Sequence, residues 1–268
     1  MPTPQYDLAF RDIVGGVLHW QLWSRAGWTD VRARYRRTTF GPFWASISLG
    51  IMMVSMGLVW SFLWKMSVKD YLPFLSAGML SWSLVSGLIN DGASVFTAQK
   101  GLLETLHFPL TMLTCAVVWR NLLLFFHNIV IYLLVVLIFR VPVTWATLLI
   151  IPGLIVIGVN GIWVATLLGM VGARYRDVQQ LISNLLQIVL FLTPVFWTPD
   201  QLAASGRARM VLVDFNPMLH YINILRNPLL GKFPTLLDCE VVIMLTILGW
   251  LVTVAVYARF RRRITYWL

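Results

Sequence analysis

The chain has 268 residues, of which 59% are hydrophobic and only 12% are charged, and its mean hydropathy is +0.76. Soluble domains carry about 25% charged residues, so this chain has too little charge to cover a soluble globule. Long apolar segments recur along it, which indicates an integral membrane protein and excludes a soluble enzyme, a disordered chain and a secreted disulfide scaffold. The net charge is +10, and the charged residues lie at the edges of these segments. We therefore expect anionic lipid, and no nucleic acid, as the partner of this charge.

The amino-terminal segment, residues 1–39, precedes the first long apolar segment. It contains six arginines and lacks the apolar core of a cleavable signal peptide, so we expect the first span to be its own insertion signal. Within it, residues 7–28 place Phe10, Val17 and Trp20 near one helical face, which predicts an amphipathic helix in the headgroup layer. An irregular basic segment is the alternative.

Six segments are long and apolar enough to cross about 30 Å of hydrocarbon, which predicts an all-α integral membrane protein. They are residues 40–64, 71–96, 110–139, 147–171, 180–198 and 238–258. The fifth is the weakest, because Ser183, Asn184 and Gln187 interrupt it and Pro194 breaks it. A bent or re-entrant pair of half-helices fits this segment as well as one straight span does.

Arginine clusters flank the first and last spans and determine the predicted topology. Four arginines lie before span 1: Arg32, Arg34, Arg36 and Arg37. Four more follow span 6 within residues 259–268. Since cytoplasmic segments are enriched in Lys and Arg, both termini are predicted to be cytoplasmic. The chain then consists of three parts: a cytoplasmic amphipathic and basic segment (1–39), a six-span transmembrane domain (40–258) and a basic cytoplasmic tail (259–268).

No pattern of catalytic or metal-ligating residues is recognisable in the sequence. It lacks a phosphate-binding loop, a His-Glu-x-x-His motif and a Cys/His cluster, so we expect no catalytic residue, metal site or cofactor on this chain. Two short, helix-prone loops on the predicted cytoplasmic side, residues 97–109 and 173–179, could dock a soluble partner that drives motion. Plain connectors are the alternative for both loops.

Polar side chains recur at helical spacing inside three predicted spans. The members of each set share one helical face: Ser83, Gly87, Asn90 and Ser94 in span 2; Arg120, Asn121, His127 and Asn128 in span 3; Gln180, Ser183, Asn184 and Gln187 in span 5. Because an unpaired arginine at membrane depth costs at least about 2.5 kcal/mol, these faces should meet protein or water rather than lipid. They predict either the lining of a transport pathway or hydrogen bonds between packed helices.

Small residues in spans 1 and 4 predict close approach of helices, either within one chain or between protomers. The clearest are Gly50 and Gly57 in span 1 and Gly169 and Gly172 in span 4. Six spans of one chain enclose little space, so a transport pathway favours a homodimer with the pathway at its interface.

Several segments, in their order along the chain, resemble the ABC-2 type permeases that export polysaccharides, a group that includes the O-antigen, capsule and teichoic-acid exporters. They are residues 30–44 (DVRARYRRTTFGPFW), 173–177 (ARYRD), 192–197 (LTPVFW), 216–217 (NP), 229–231 (LLG) and 261–267 (RRRITYW). The resemblance covers nearly the whole chain. No single segment is as specific as a set of zinc ligands, but the joint spacing of the segments is strong evidence for the resemblance.

This resemblance implies a homodimer working with two copies of a separate ATPase subunit, which would hold the ATP and Mg²⁺. The cargo would be a lipid-linked polysaccharide, moved from the cytoplasmic to the outer leaflet of the bacterial inner membrane. Residues 7–28 would be the family's amphipathic interface helix and residues 200–215 its short external gate helices. ATPase coupling would fall on two sets of residues: Gln99, Lys100, Leu102, Leu103 and Glu104 in the main coupling helix (97–108), and Arg174, Tyr175, Arg176 and Asp177 in a second contact.

The resemblance also places the four arginines before span 1 at the leaflet where a lipid diphosphate would enter. Arg32, Arg34, Arg36 and Arg37 are therefore candidates for binding that headgroup, because guanidinium groups pair with phosphate through two parallel hydrogen bonds. The alternative is that they determine topology alone. Two alternatives for the whole chain are an ABC-2 type exporter of a small lipid or drug, and a stand-alone channel or membrane scaffold.

Overall fold

The computed structural model describes residues 4–36, 38–39, 41, 43–106, 108–198 and 213–268. Its helices, numbered in chain order, are α1 (Pro4–Leu18), α2 (Trp20–Arg34), α3 (Phe43–Leu63), α4 (Val68–Ala93), α5 (Val95–Ala98), α6 (Lys100–Thr105), α7 (Thr111–Phe139), α8 (Ile150–Arg174), α9 (Val178–Leu192), α10 (Pro217–Leu229) and α11 (Leu236–Trp267). A 3-10 turn, Trp145–Leu149, leads into α8. Arg37 and residues 200–212 of the predicted gate helices lie outside the described residues.

Five described helices are long and apolar enough to cross a membrane: α3, α4, α7, α8 with its 3-10 turn, and α11. They confirm five of the predicted spans to within a few residues at most ends. The last helix extends further than expected, because α11 continues unbroken through the basic residues 259–267.

The fifth predicted span, residues 180–198, is a shorter helix than expected. Helix α9 has 15 residues and ends at Leu192, before a turn that contains Pro194. After the turn Val195 and Phe196 are buried, and the Tyr71 hydroxyl of α4 donates a hydrogen bond to the Phe196 carbonyl. The chain therefore folds back into the protein here, as in the bent alternative, and a sixth complete span stays a prediction.

Helix α4 lies at the centre of the bundle. In its most apolar window 72% of the residues are buried, against 22% in α3, α7 and α11. It packs against five other helices: α3, α7, α8, α9 and α10. Since the outer helices bury so little, their remaining apolar faces are available to lipid or to another chain.

The predicted close approaches occur within the chain. A Cβ atom built on Gly172 of α8 would lie 2.0 Å from the Ala93 carbonyl oxygen at the end of α4. Similar atoms on Gly50 and Gly57 of α3 would lie 3.0 Å from Ile131 and Leu72 respectively. These glycines therefore set how closely α3 and α8 pack on their neighbours.

Gly172→Ala is expected to lower the free energy of unfolding by about 1–3 kcal/mol, because the added methyl group would clash with the Ala93 carbonyl and force the backbone of α4 or α8 to shift. The matched control is Gly101→Ala in α6, where a built Cβ meets nothing within 4 Å. The control should be neutral or stabilising by up to about 1 kcal/mol through helix propensity. Thermal unfolding of both variants in the same detergent measures the difference. Equal unfolding temperatures would contradict the close α4–α8 contact.

The predicted amphipathic helix over residues 7–28 forms two helices, α1 and α2, which are interrupted at His19. One face carries exposed apolar side chains such as Phe10 and Trp20, as expected of a helix at the membrane surface. The other face packs on the protein, and a Cβ on Gly16 would lie 2.7 Å from Thr111 at the start of α7. The segment is thus two helices held against the bundle rather than one, and its place in the headgroup layer stays a prediction.

The bundle has a proximal end and a distal end. The proximal end contains α1, α5, α6, the α8–α9 loop and the carboxyl-terminal turn of α11, which meet around Asp12, Thr97 and Arg176. The distal end contains the α3–α4 turn, the α7–α8 loop and the α10–α11 turn, which meet around Lys69, Arg140 and Lys232.

Candidate functional site

The two predicted coupling segments lie side by side at the proximal end. The main segment forms two short helices, α5 and α6, that meet at Gln99, rather than the single helix expected over 97–108. Together with the α8–α9 loop and Trp267 they surround a pocket of about 300 Å³ that is lined by Thr97, Lys100, Arg176 and Gln179, among others. A partner that docks here would contact both segments at once.

Not every predicted coupling residue is accessible. Leu103 is only 8% exposed and belongs to an apolar cluster with Phe96 and Tyr257, and Leu102 is half-buried against the same cluster. Lys100 and Glu104 are exposed and form an ion pair of 3.7 Å along α6. Leu103 therefore fixes α6 to the bundle, and the side chains available to a partner are its exposed neighbours.

The second coupling segment is exposed throughout. Arg174, Tyr175, Arg176 and Asp177 all lie at the surface. The Arg174 guanidinium is 5.4 Å from the centre of the Trp267 ring and 5.3 Å from that of Tyr175. Such a cation–π contact holds Arg174 next to the end of α11.

Three of the four candidate headgroup arginines fall within the described residues. Arg32, Arg34 and Arg36 are exposed at the end of α2 and just after it, and among the described residues none of them forms an ion pair. Their guanidinium groups are therefore available to an anion or to headgroups. Their role as a binding site or as topology determinants stays a prediction.

The polar faces of spans 2 and 5 meet in one groove. Its volume is about 460 Å³, and α3, α4 and α9 form its walls. The polar part of the lining is Ser83, Ser86, Asn90, Ser183 and Gln187. The Ser183 hydroxyl donates to the Asn90 side-chain oxygen at 2.6 Å, which joins α9 to α4, while Asn184 is exposed beside the groove and accepts a bond from Gln180.

The polar face of span 3 does not reach this groove. Arg120 of α7 donates to Asp30 of α2 at 3.0 Å and to Asp91 of α4 at 2.9 Å, and Asn121 donates to Asp91 at 3.0 Å. This cluster joins three helices. These contacts are the interhelical hydrogen bonds of the second interpretation, and a role in the pathway stays a prediction. The sequence does not predict the two carboxylates, Asp30 and Asp91.

His127 and Asn128, two turns further along α7, also have partners in the same chain. The Ser46 hydroxyl of α3 donates to the Asn128 side-chain oxygen at 2.8 Å. The His127 ring lies 5.5 Å from the ring of Phe43, also in α3. Both residues thus hold α3 against α7, and only Asn90, Asn184 and Gln187 of the predicted lining lie in or beside the groove.

The proximal end contains a buried carboxylate, Asp12, that the sequence does not predict. Asp12 of α1 is 3% exposed and accepts hydrogen bonds from the backbone amides of Leu110 and Thr111 at 3.2 and 3.1 Å. The Thr111 and Tyr257 hydroxyls and the Arg261 guanidinium also donate to it, at 3.0, 2.7 and 2.9 Å. We call this group the Asp12 cluster; it ties α1 to the start of α7 and the end of α11.

The architecture combines a bundle of membrane-length helices with a helical amino-terminal segment held against it and short helices at one end. The family model of the ABC-2 type transporter matches residues 21–230. The chain belongs to the ABC-2 type transporter family. The matched range includes the groove and both predicted coupling segments.

A curated relative of this ABC-2 family chain is the O-antigen export system permease protein RfbA of Myxococcus xanthus. The two are 27% identical over 191 residues, which cover 71% of this chain and 73% of the relative. The resemblance predicted from the sequence is thereby confirmed at the level of the family. As a multi-pass ABC-2 permease the chain is a transport subunit.

Proposed function

We propose that this chain is the transmembrane subunit of an ATP-driven exporter that moves a lipid-linked polysaccharide, of O-antigen or capsule type, across the bacterial inner membrane. The observation that carries the proposal is the similarity to a named O-antigen export permease over 71% of the chain, within a family match that spans residues 21–230. Both termini face the cytoplasm in this proposal, and α9 with the turn after it completes a six-span topology.

The groove between α3, α4 and α9 supports a pathway at the interface of two copies. Its hydroxyl and amide side chains suit the hydroxyls of a sugar chain, and its apolar wall contains the aromatic ring of Trp82. Helix α9 presents an apolar edge with exposed Leu181, Leu185 and Ile188 next to it. A second copy placed against α3 and α9 would close the groove on its open side.

The proximal end supports docking of two copies of a cytoplasmic ATPase, one for each permease. ABC-2 permeases work with ATPase subunits, and the two adjacent coupling segments offer one continuous surface. In this proposal ATP and Mg²⁺ are bound by the ATPase and not by this chain. Closure of the ATPase dimer would move α5, α6 and the α8–α9 loop, and through the Asp12 cluster the ends of α7 and α11.

The first test is affinity purification of the chain from its native cells in mild detergent, with the partners identified by mass spectrometry. We expect an ATPase with Walker motifs in a one-to-one ratio, and deletion of the permease gene should leave lipid-linked glycan inside the cell. Recovery of the ATPase without glycan accumulation would favour an exporter of a small lipid or drug. Recovery of the chain alone, even after gentle crosslinking, would contradict the coupled exporter.

Gly101→Trp should abolish coupling while the bundle stays folded. Gly101 is exposed in α6 and a built Cβ meets nothing within 4 Å, so an indole ring projects into the space that a docked partner would occupy. We expect at least a tenfold loss of glycan export, roughly the effect of removing a central contact. Gly101→Ala is the control and should export normally. The readouts are surface glycan and recovery of the ATPase; normal export by Gly101→Trp would show that α6 is not the docking surface.

A further inference from the structure

The distal end contains a pocket that the proposed transport function does not use. It encloses about 640 Å³ and lies between the α3–α4 turn, the α7–α8 loop and the α10–α11 turn. Three cations line it: Lys69 in the first turn of α4, Arg140 at the end of α7 and Lys232 in the α10–α11 turn. Asp70 is the only acidic residue in its described lining, so the pocket has an excess of positive charge.

The cations are exposed and available. Lys69, Arg140 and Lys232 all lie at the surface, and in the described ranges of the chain no carboxylate forms an ion pair with any of them. Below them the floor is buried, with Tyr71 only 1% exposed and Pro73 also buried. Like charges brought together without counterions repel each other, so this arrangement favours an anionic ligand.

The backbone next to two of these cations adopts the left-handed conformation, at Arg140 itself and at Gly231, which precedes Lys232. Arg140 ends α7 in the left-handed region at φ 53°, a conformation that residues other than glycine rarely adopt. Opposite it, Gly231 has φ 71°, and a built Cβ there would lie 2.3 Å from the Pro142 carbonyl oxygen. The Thr144 hydroxyl donates to the Gly231 carbonyl at 2.7 Å, so the two loops that carry Arg140 and Lys232 are fastened together. The pocket is therefore built by tertiary contacts.

We expect the pocket to lie at the level of the lipid headgroups when the protein is in a membrane. It opens where three membrane-length helices begin or end, beside the exposed aromatic side chains of Trp145 and Phe233. Aromatic side chains of this kind mark the boundary between hydrocarbon and water. Anions at that boundary are chiefly phosphate groups of lipids, and Arg and Lys are the side chains that bind phosphate best.

We infer that Lys69, Arg140 and Lys232 form a binding site for the phosphate of a lipid headgroup at the distal end of the permease. The phosphate has two possible sources: a membrane phospholipid, or the diphosphate carrier of a cargo leaving the pathway. The second source rests on the proposed function and the first does not. Either way, the ligand binds at the end opposite the arginines that precede α3.

Native mass spectrometry of the purified chain in detergent tests the site, with phosphatidylglycerol and a polyprenyl diphosphate as separate probes and phosphatidylcholine as the reference. We expect the triple variant Lys69→Gln, Arg140→Gln, Lys232→Gln to bind the tighter of the two anionic probes about tenfold more weakly, as expected when several exposed charges are removed together. Asp70→Asn should bind it more tightly, which a merely unfolded protein would not do. The probe with the larger loss identifies the source of the phosphate.

The matched control removes three exposed cations away from the pocket: Arg25→Gln, Arg259→Gln and Arg262→Gln. An equal loss in this control would show that binding follows total charge and would overturn the site. Unchanged binding of both probes by the triple variant, together with no gain in Asp70→Asn, would overturn it as well. Because the assay needs neither ATP nor export, failure of the proposed function leaves the phospholipid result intact.

Discussion

Asp12→Ala is expected to lower the free energy of unfolding by about 3–5 kcal/mol, the cost of removing one partner from a buried ion pair. Asp12 is 3% exposed, and its carboxylate receives bonds from two backbone amides, two hydroxyls and the Arg261 guanidinium. Alanine would leave the buried amides of Leu110 and Thr111 without their acceptor, so the loss exceeds that of a single surface pair. Thermal unfolding in detergent measures it.

A control variant and a double variant distinguish the stability effect of the Asp12 cluster from that of an exposed ion pair. Asp7 pairs with Arg11 at 3.0 Å on the same helix, but both side chains are more than half exposed, so Asp7→Ala should cost less than about 1 kcal/mol. Asp12→Asn with Arg261→Met should be less destabilised than the sum of its two single variants, because neither charge remains unpaired. Strict additivity would show that Asp12 and Arg261 do not interact.

The Asp12 cluster also shows how far the sequence could predict this structure. Five membrane-length helices follow from composition alone, because twenty apolar residues in a row have few other stable structures in lipid. Asp12 could not be assigned in the same way. Its partners Thr111 and Arg261 lie 99 and 249 residues away, and neither periodicity nor local motifs report on contacts at such separation.

The polar residues of the spans illustrate the same limit at the candidate site. Helical spacing correctly placed Asn90 with Ser183 and Gln187, since both stripes face one groove. It also predicted Arg120 as a lining residue of the same pathway, although Arg120 pairs with Asp30 and Asp91. A polar stripe in a span indicates a polar neighbour, and only the tertiary fold determines whether that neighbour is a pathway or another helix.

Helix α9 was the weakest prediction for a physical reason. Its amides and the prolines after it lower its hydropathy, and the structure places Ser183 of that stripe against Asn90 of α4 and Gln187 in the groove. The buried Arg226 of α10 supports the turn at its end by donating to the Pro194 carbonyl at 2.6 Å. The carbonyl of Pro194 in this turn thus has a partner inside the protein, as an interrupted helix in a membrane requires of its backbone groups.

Arg120→Met is expected to lower the free energy of unfolding by about 3 kcal/mol, since it leaves two carboxylates facing each other without a cation. The side chains of Arg120, Asp91 and Asp30 are 15%, 19% and 35% exposed, so solvent screens the loss only in part. Adding Asp91→Asn to this variant should recover part of the stability, because the more buried negative charge is then removed. Arg25→Met, which removes an exposed arginine of α2, is the control and should change stability by less than about 0.5 kcal/mol.

The same variants decide between a packing role and a pathway role for Arg120. If it holds α2, α4 and α7 together, export per folded molecule should recover with stability in Arg120→Met, Asp91→Asn. If its charge lines the pathway, export should stay low although the protein unfolds at nearly the wild-type temperature. Arg120→Lys sharpens the comparison, because it keeps the charge but loses the two separate guanidinium nitrogens that pair with Asp30 and Asp91. A packing role predicts intermediate stability with near-normal export for this variant.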